Sequence, residues 1–409
     1  MNVQSISGAR GRRGRRGLLG VLLGTTMLLV AACGGGDDSG DGDKGSSKVG
    51  DNKASQAVVS IAPRDGATDV GTSGALKVTA DKGKLSSVKV ADSKGNVVAG
   101  KITGAGASWQ PTSHLGASTK YTVDAIAKDD DGRESAKHAT FTTLVPKDTF
   151  IGHFNPENGA KVGVGMPVSL NFSHAITNRA AVERAVSVTA QPAVAIEGHW
   201  FGNQRLDFRP EKYWAAGTKV TLDLRLNGVE GASGVYGTQA KKVKFTVGRS
   251  QVSVVDAKTK KMTVERDGKV VRTIPITAGA TGTETYNGTM VISEKHAVTR
   301  MNGETVGFGG EYDIKDVPHA MRLSTSGTFI HGNYWSGQPT FGSKNASHGC
   351  IGLFDQRGGG DGSTPGAWFF RNSQVGDVVV VKNSNDETIK PENGYNGWNM
   401  SWSEWTAEQ

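Results

Sequence analysis

His331 and Cys350 stand 19 residues apart, the first within His331-Gly332-Asn333-Tyr334-Trp335, the second within Ser347-His348-Gly349-Cys350-Ile351-Gly352-Leu353. A thiol beside an imidazole can attack a carbonyl, hold the acyl group as a thioester and pass it on. A thiol near its reference pKa of about 8.5 is only a few per cent thiolate at neutral pH, so a neighbouring base is required. Two histidines compete for that role. His331 follows the strand-like Phe329-Ile330 and approaches the thiol across a loop. His348 is two residues from the thiol, and in an extended segment such residues share a face. Gly349 permits a sharp turn that would point the Gly349 and Cys350 amides at a developing oxyanion. The plain alternative, an inert buried cysteine, is disfavoured by the company of His331, Ser347, His348 and Gly349.

The 409 residues contain two cysteines, Cys33 and Cys350. Cys33 closes an export segment: Arg10, Arg12, Arg13, Arg15 and Arg16 form a basic region, residues 17–30 are apolar but short for a membrane span, and Val30-Ala31-Ala32-Cys33 follows. This resembles a bacterial lipobox, which implies cleavage before Cys33 and a diacylglycerol anchor on its thiol. The mature protein is then expected in the cell envelope, on the outer face of the cytoplasmic membrane. Arg15-Arg16-Gly17-Leu18-Leu19 also resembles a twin-arginine signal, so two export routes stay open. Residues 33–56, rich in Gly, Asp and Ser, read as a flexible tether. Removing the five leader arginines brings the formal charge of +8 down to +3. Nothing basic clusters as a phosphate-tracking patch would, and nucleic acid is not an expected partner.

The chemistry needs a frame, and the chain repeats itself on the way to it. Pro63-Arg64-Asp65-Gly66-Ala67-Thr68 is echoed by Pro156-Glu157-Asn158-Gly159-Ala160-Lys161 at an offset of 93, and Phe141-Thr142-Thr143 by Phe245-Thr246-Val247 at 104. Two modules result, residues 57–145 and 147–248. Short alternating runs such as Tyr121-Thr122-Val123 and Val243-Lys244-Phe245 predict immunoglobulin-like β-sandwiches, with Trp109 and Trp200 as the large anchors. His114, His138, His153, His174 and His199 are scattered singly, without metal-ligand spacing.

Residues 251–383 continue the strand signal as a meander with an Asp267-Gly268 hairpin turn, a late buried strand at Val378-Val379-Val380-Val381 and one short helix around residues 367–371. Ser-His-Gly-Cys then sits on a loop carried by sheet. The Gly- and Ser-rich stretch 356–366 reads as a surface insertion. In the tail, residues 384–409, Trp398, Trp402 and Trp405 have spacings of 4 and 3, which predict one apolar helical face folded back on the catalytic part or the second sandwich.

A histidine, a spacer and Ser-His-Gly-Cys resemble the L,D-transpeptidase catalytic domain, the YkuD fold, over residues 251–383. The lipobox, paired immunoglobulin-like modules and Trp-rich tail resemble the lipoprotein branch of that family. The expected fold is therefore mainly β, two sandwiches followed by a β-rich catalytic domain. The resemblance implies Cys350 as nucleophile, His331 as base, the Gly332 carbonyl as orienter of the imidazole, and Ser347, His348 and Gly349 as shapers of the site. Met321, Tyr334 and Trp335 would line the acyl-donor pocket. Gly352 stands where the family usually has Asn or Arg, so any polar contact made there is absent or supplied elsewhere.

The activity implied is 3→3 cross-linking of peptidoglycan stem peptides, with release of D-Ala from a tetrapeptide donor. It uses no metal or organic cofactor, and carbapenems would acylate the same thiol. Hydrolysis of the same thioester would make the protein an L,D-carboxypeptidase. A non-catalytic wall-binding lipoprotein is the alternative from another class. Papain-like and NlpC-type peptidases place cysteine before histidine, the reverse of the order here.

Overall fold

The computed structural model describes residues 53–306 and 309–407. The expected leader, Cys33 and the tether as far as residue 52 lie outside the described residues.

Alternation builds the first sandwich: Lys120–Lys128 turns Tyr121, Val123, Ala125 and Ala127 inward while its neighbours face water. One sheet runs Val58–Ala62, Lys77–Asp81, Ser108–Pro111, Gly100–Thr103; the other runs Ala67–Val70, Glu134–Thr143, Lys120–Lys128, Lys84–Asp92. Trp109 is buried between them.

The second sandwich repeats the plan. Gly152–Asn155, Val168–Phe172, Arg205–Arg209 and Glu197–Phe201 face Lys161–Val162, Ala240–Val247, Lys219–Arg225 and Val186–Gln191. Trp200 packs on Phe172 at 5.5 Å. Trp214, which the repeat comparison did not single out, is equally buried and donates its indole N–H to the Met166 carbonyl at 2.8 Å.

The catalytic part is a nine-stranded sheet. Its strands are β1 Gln251–Asp256, β2 Lys261–Arg266, β3 Lys269–Thr277, β4 Gly288–Val291, β5 Glu294–Asn302, β6 Asp313–Arg322, β7 Phe329–Asn333, β8 Ile351–Phe354 and β9 Val378–Lys382. Their spatial order is β4-β9-β1-β2-β3-β8-β7-β6-β5. Asp267 and Gly268 both take positive φ, 49° and 75°, as a two-residue hairpin turn between β2 and β3 requires. The short helix runs Pro365–Asn372; the Thr364 hydroxyl caps it by accepting from the Ala367 amide, and Phe369 is buried against the sheet.

The second sandwich docks on this sheet through backbone. The Gly163 amide donates to Val375 O at 2.7 Å and the Gly165 amide to Gly376 O at 2.9 Å. A Cβ on Gly163 would stand 2.2 Å from the Asp377 amide, so only glycine allows the approach. Val378 of β9 belongs to the second sandwich's apolar core.

The tail folds back as expected, but its three tryptophans do not form a simple apolar helical face. The helix is only Trp402–Trp405, and Trp398 lies in a separate turn. The three indoles gather around the Arg209 guanidinium of the second sandwich, at 4.8, 5.4 and 4.3 Å for Trp398, Trp402 and Trp405. Burial pulls this guanidinium down to about 10, and the indole faces supply a negative lining that compensates part of that desolvation.

Candidate active site

Parallel pairing of β7 and β8 fixes the candidate pair. The register sets Ile330 against Ile351 and His331 against Gly352. Cys350, just before β8 and two residues from Gly352, therefore projects to the same face of the sheet as His331. The β7–β8 ladder, rather than the connecting loop, thereby turns the two residues to one face of the sheet. His331 lies inside β7 rather than at a strand end, the position expected from the sequence. The ladder through Asn333 extends the strand past it.

His331 is buried and its Nδ1 lies 2.9 Å from the Gly332 carbonyl. Donation from Nδ1 to that oxygen leaves Nε2 as the nitrogen able to accept a proton. Burial lowers the imidazole's affinity for a proton, while the Gly332 carbonyl and the charge of Asp355 work the other way. The Cys350 thiol is pushed up to about 11 by burial, with the Phe329 amide partly offsetting this. Both directions favour the uncharged forms, so at rest the two groups are a thiol and a neutral imidazole rather than an ion pair. The thiol donates to the Gly327 carbonyl at 3.7 Å.

Around the thiol, the Ser347 hydroxyl donates to the Cys350 carbonyl at 2.5 Å, and the Ser347 backbone pairs with Ala278 and Ala280 beyond the end of β3. Gly349 takes φ +101°, a conformation that turns the chain sharply before Cys350 and favours glycine. His348 turns its Nε2 to Glu311 Oε2 at 3.0 Å and lies against the Tyr312 ring at 5.1 Å. Trp335, 43% exposed, stacks on His331 at 5.5 Å and 21°. Tyr334 is spent on structure: its hydroxyl donates to Asp316 at 2.5 Å, and Arg357 holds the other oxygen of that carboxylate at 2.6 Å. The same Arg357 contact pins the 356–366 stretch to β6.

Two expected pocket residues do not reach the pocket. Met321 is fully buried in the catalytic core, because it pairs with Ile330 of β7 and shares that residue's core-facing side of the sheet. Gly352 is enclosed in the ladder; a Cβ there would lie 2.8 Å from Thr277 Cγ2 and 3.4 Å from Asn333 Nδ2.

Residues 250–381 match the family described as the L,D-transpeptidase catalytic domain, and residues 67–230 the family described as the bacterial Ig domain. L,D-transpeptidase 2 of Mycobacterium tuberculosis is 31% identical over 346 residues, 84% of this chain and 82% of that one. The chain belongs to the L,D-transpeptidase family. L,D-transpeptidase 5 of the same species is 30% identical over 84% of this chain and 75% of its own length. A solved L,D-transpeptidase in complex with imipenem is 27% identical, with a TM-score of 0.48 over 58% of this chain and all of the other.

Sequence reasoning missed the far wall of this L,D-transpeptidase site. Cys350 opens on a cavity of about 310 Å³ that Met301, Tyr312, Arg322, Thr325 and Phe329 help to line. Tyr312 is held up to about 12, chiefly by burial and then by the nearby thiol. These residues sit on β5, just before β6, at the end of β6, on the 324–328 turn and at the start of β7, so no local motif groups them. Equally unforeseen is a carboxylate behind the site. Asp355 accepts from His319 Nδ1 at 2.7 Å and Thr364 Oγ1 at 2.8 Å, and a Cβ on Gly332 would stand 2.3 Å from it. That is why the residue after His331 is glycine here.

Proposed function

We propose that this protein forms 3→3 cross-links in peptidoglycan through a Cys350 thioester. The β7–β8 register supports the reading, since His331, whose Nδ1 is engaged by the Gly332 carbonyl, and Cys350, which opens on a cavity, face the same side of the sheet. Attack by Sγ on the carbonyl of diaminopimelate at position 3 of a tetrapeptide stem transfers the thiol proton to His331 Nε2. The tetrahedral oxyanion is held by the Gly349 and Cys350 amides, which the left-handed Gly349 presents together. Collapse breaks the bond to the terminal D-Ala, whose amine takes the proton from His331. A side-chain amine of diaminopimelate on a second stem then attacks the thioester, His331 takes its proton, and the thiol is restored. No step calls for a cofactor. Because burial disfavours both charged partners, proton transfer accompanies attack rather than preceding it.

Incubation of the purified protein with tetrapeptide stems, followed by muropeptide mass analysis, is expected to give D-Ala and 3→3 dimers. Tripeptide stems without dimers would make the enzyme an L,D-carboxypeptidase, and no turnover would leave a wall-binding role. Carbapenems, as strained acyl donors, are expected to add one equivalent of mass at Cys350.

We further propose that this chemistry takes place outside the cytoplasmic membrane with Cys33 as a lipid anchor, a reading supported by the resemblance of residues 10–33 to a lipoprotein export segment. Each buried methylene contributes about 0.8 kcal/mol, so two acyl chains hold a protein stably where one does not. Cys33→Ala should shift the protein out of the membrane fraction. Unchanged fractionation and processing would end the anchor proposal.

A further inference from the structure

The thiol's acceptor, the Gly327 carbonyl, lies on a turn that the catalytic sheet does not hold alone. Within the 324–328 turn, the Leu323 amide donates to Thr328 O at 2.8 Å and the Thr328 amide to Ser324 Oγ at 2.8 Å. Gly327 has φ +101°, which only glycine adopts without strain. The outer side of the turn is exposed, and there the tail grips it. Asn393 Oδ1 accepts from the Thr325 hydroxyl at 2.7 Å and the Ser326 amide at 3.0 Å, while its Nδ2 donates to Ser326 Oγ at 2.8 Å. An amide is the side chain that can accept twice and donate once in this geometry.

The tail is anchored in turn. Buried Asn396 donates to Leu323 O at 3.2 Å and accepts from the Val291 amide at 3.2 Å. From the second sandwich, Arg205 donates to Glu392 O at 3.0 Å and Gly394 O at 2.6 Å, the carbonyls on either side of Asn393. Buried Asp207 fixes that guanidinium through both carboxylate oxygens.

We propose that Asn393 is a positioning residue of the active site: it holds the 324–328 turn so that the Gly327 carbonyl aims the Cys350 thiol, and the second sandwich holds Asn393 there through Arg205. The inference rests on Cys350 being the nucleophile. A thiol that donates to a carbonyl is stabilised in its protonated form and restricted in rotation. Release of the turn then lowers the thiol pKa and randomises the direction from which Sγ meets the acyl donor. These effects have opposite signs for a small electrophile and for a bound substrate, and a partial shift distinguishes release of the turn from general unfolding, which would bring the thiol all the way to its free value of about 8.5.

The test uses the full-length protein, Asn393→Ala, Thr325→Val, the double variant and Cys350→Ala, with alkylation by iodoacetamide followed against pH and carbapenem acylation followed by mass. Asn393→Ala is expected to move the alkylation midpoint of Cys350 down by about half a unit and to slow carbapenem acylation about tenfold. Thr325→Val should give part of each change, and the double variant no more than Asn393→Ala alone. Additive effects, or an unshifted midpoint in a folded Asn393→Ala protein, would overturn the proposal. Acylation that survives in Cys350→Ala would instead overturn the nucleophile assignment on which it stands.

Discussion

His331→Ala is expected to slow carbapenem acylation at neutral pH by about 100- to 10,000-fold, the usual worth of a positioned base. The same variant should recover rate as pH rises. Burial holds the Cys350 thiol up to about 11, so in the absence of the imidazole the reactive thiolate grows about tenfold per pH unit well past pH 9. The unaltered enzyme should show no such climb above neutrality, because His331 is pulled below its ordinary value and is already the free base there. Cys350→Ala should abolish acylation at every pH. His348→Ala should lower the rate without alkaline recovery, since its ring braces Glu311 and Tyr312. Rate–pH profiles of the three variants are the measurement. Recovery in the His348 variant and none in the His331 variant would reverse the two roles.

Trp405→Ala is expected to be the most damaging change outside the site. The indole is 1% exposed, stacks on His199 at 4.9 Å, donates to Glu197 O at 3.0 Å and lies 4.3 Å under the Arg209 guanidinium. Its removal creates a cavity and strips a buried cation of its lining, a cost of about 3–5 kcal/mol. Thermal unfolding should show a Tm lower by about 6–20 °C. An unchanged Tm together with lost binding to isolated cell wall would instead make the indoles a sugar platform.

The architecture was largely written in periodicity. Alternating runs gave the sandwiches, the Asp267-Gly268 turn gave the meander, and four consecutive valines gave β9. The chemistry-bearing residues were legible for a different reason: His331 and Ser347-His348-Gly349-Cys350 cluster in sequence, and one crossover, residues 334–350, joins their strands. What escaped was everything assembled at long range. The cavity wall comes from β5, β6 and its flank, a turn and the start of β7, and Asp355 reaches Gly332 from just past the end of β8. Arg209 lies about 190 residues from the tryptophans that surround it. Met321 misled because a buried methionine and a pocket methionine look alike in sequence, and only the pleat of β6 distinguishes them.

Because the imidazole and the thiol ride on neighbouring strands of one ladder, their separation does not depend on how the chain travels between them. Ser347 and Ala346 are tied back to Ala278, Lys344 to Thr277, Gly342 to Ile276 and Ser336 to Asn333, so the part of the crossover not held by the sheet is the stretch 337–341. It follows closely in the chain on Trp335, which is exposed and stacks on His331. Residues there can be inserted, deleted or exchanged at the modest entropic cost of a longer loop, with the reacting atoms left in place. Evolution is thereby free to retune this edge of the site without renegotiating the chemistry, and an engineer has the same five residues to randomise.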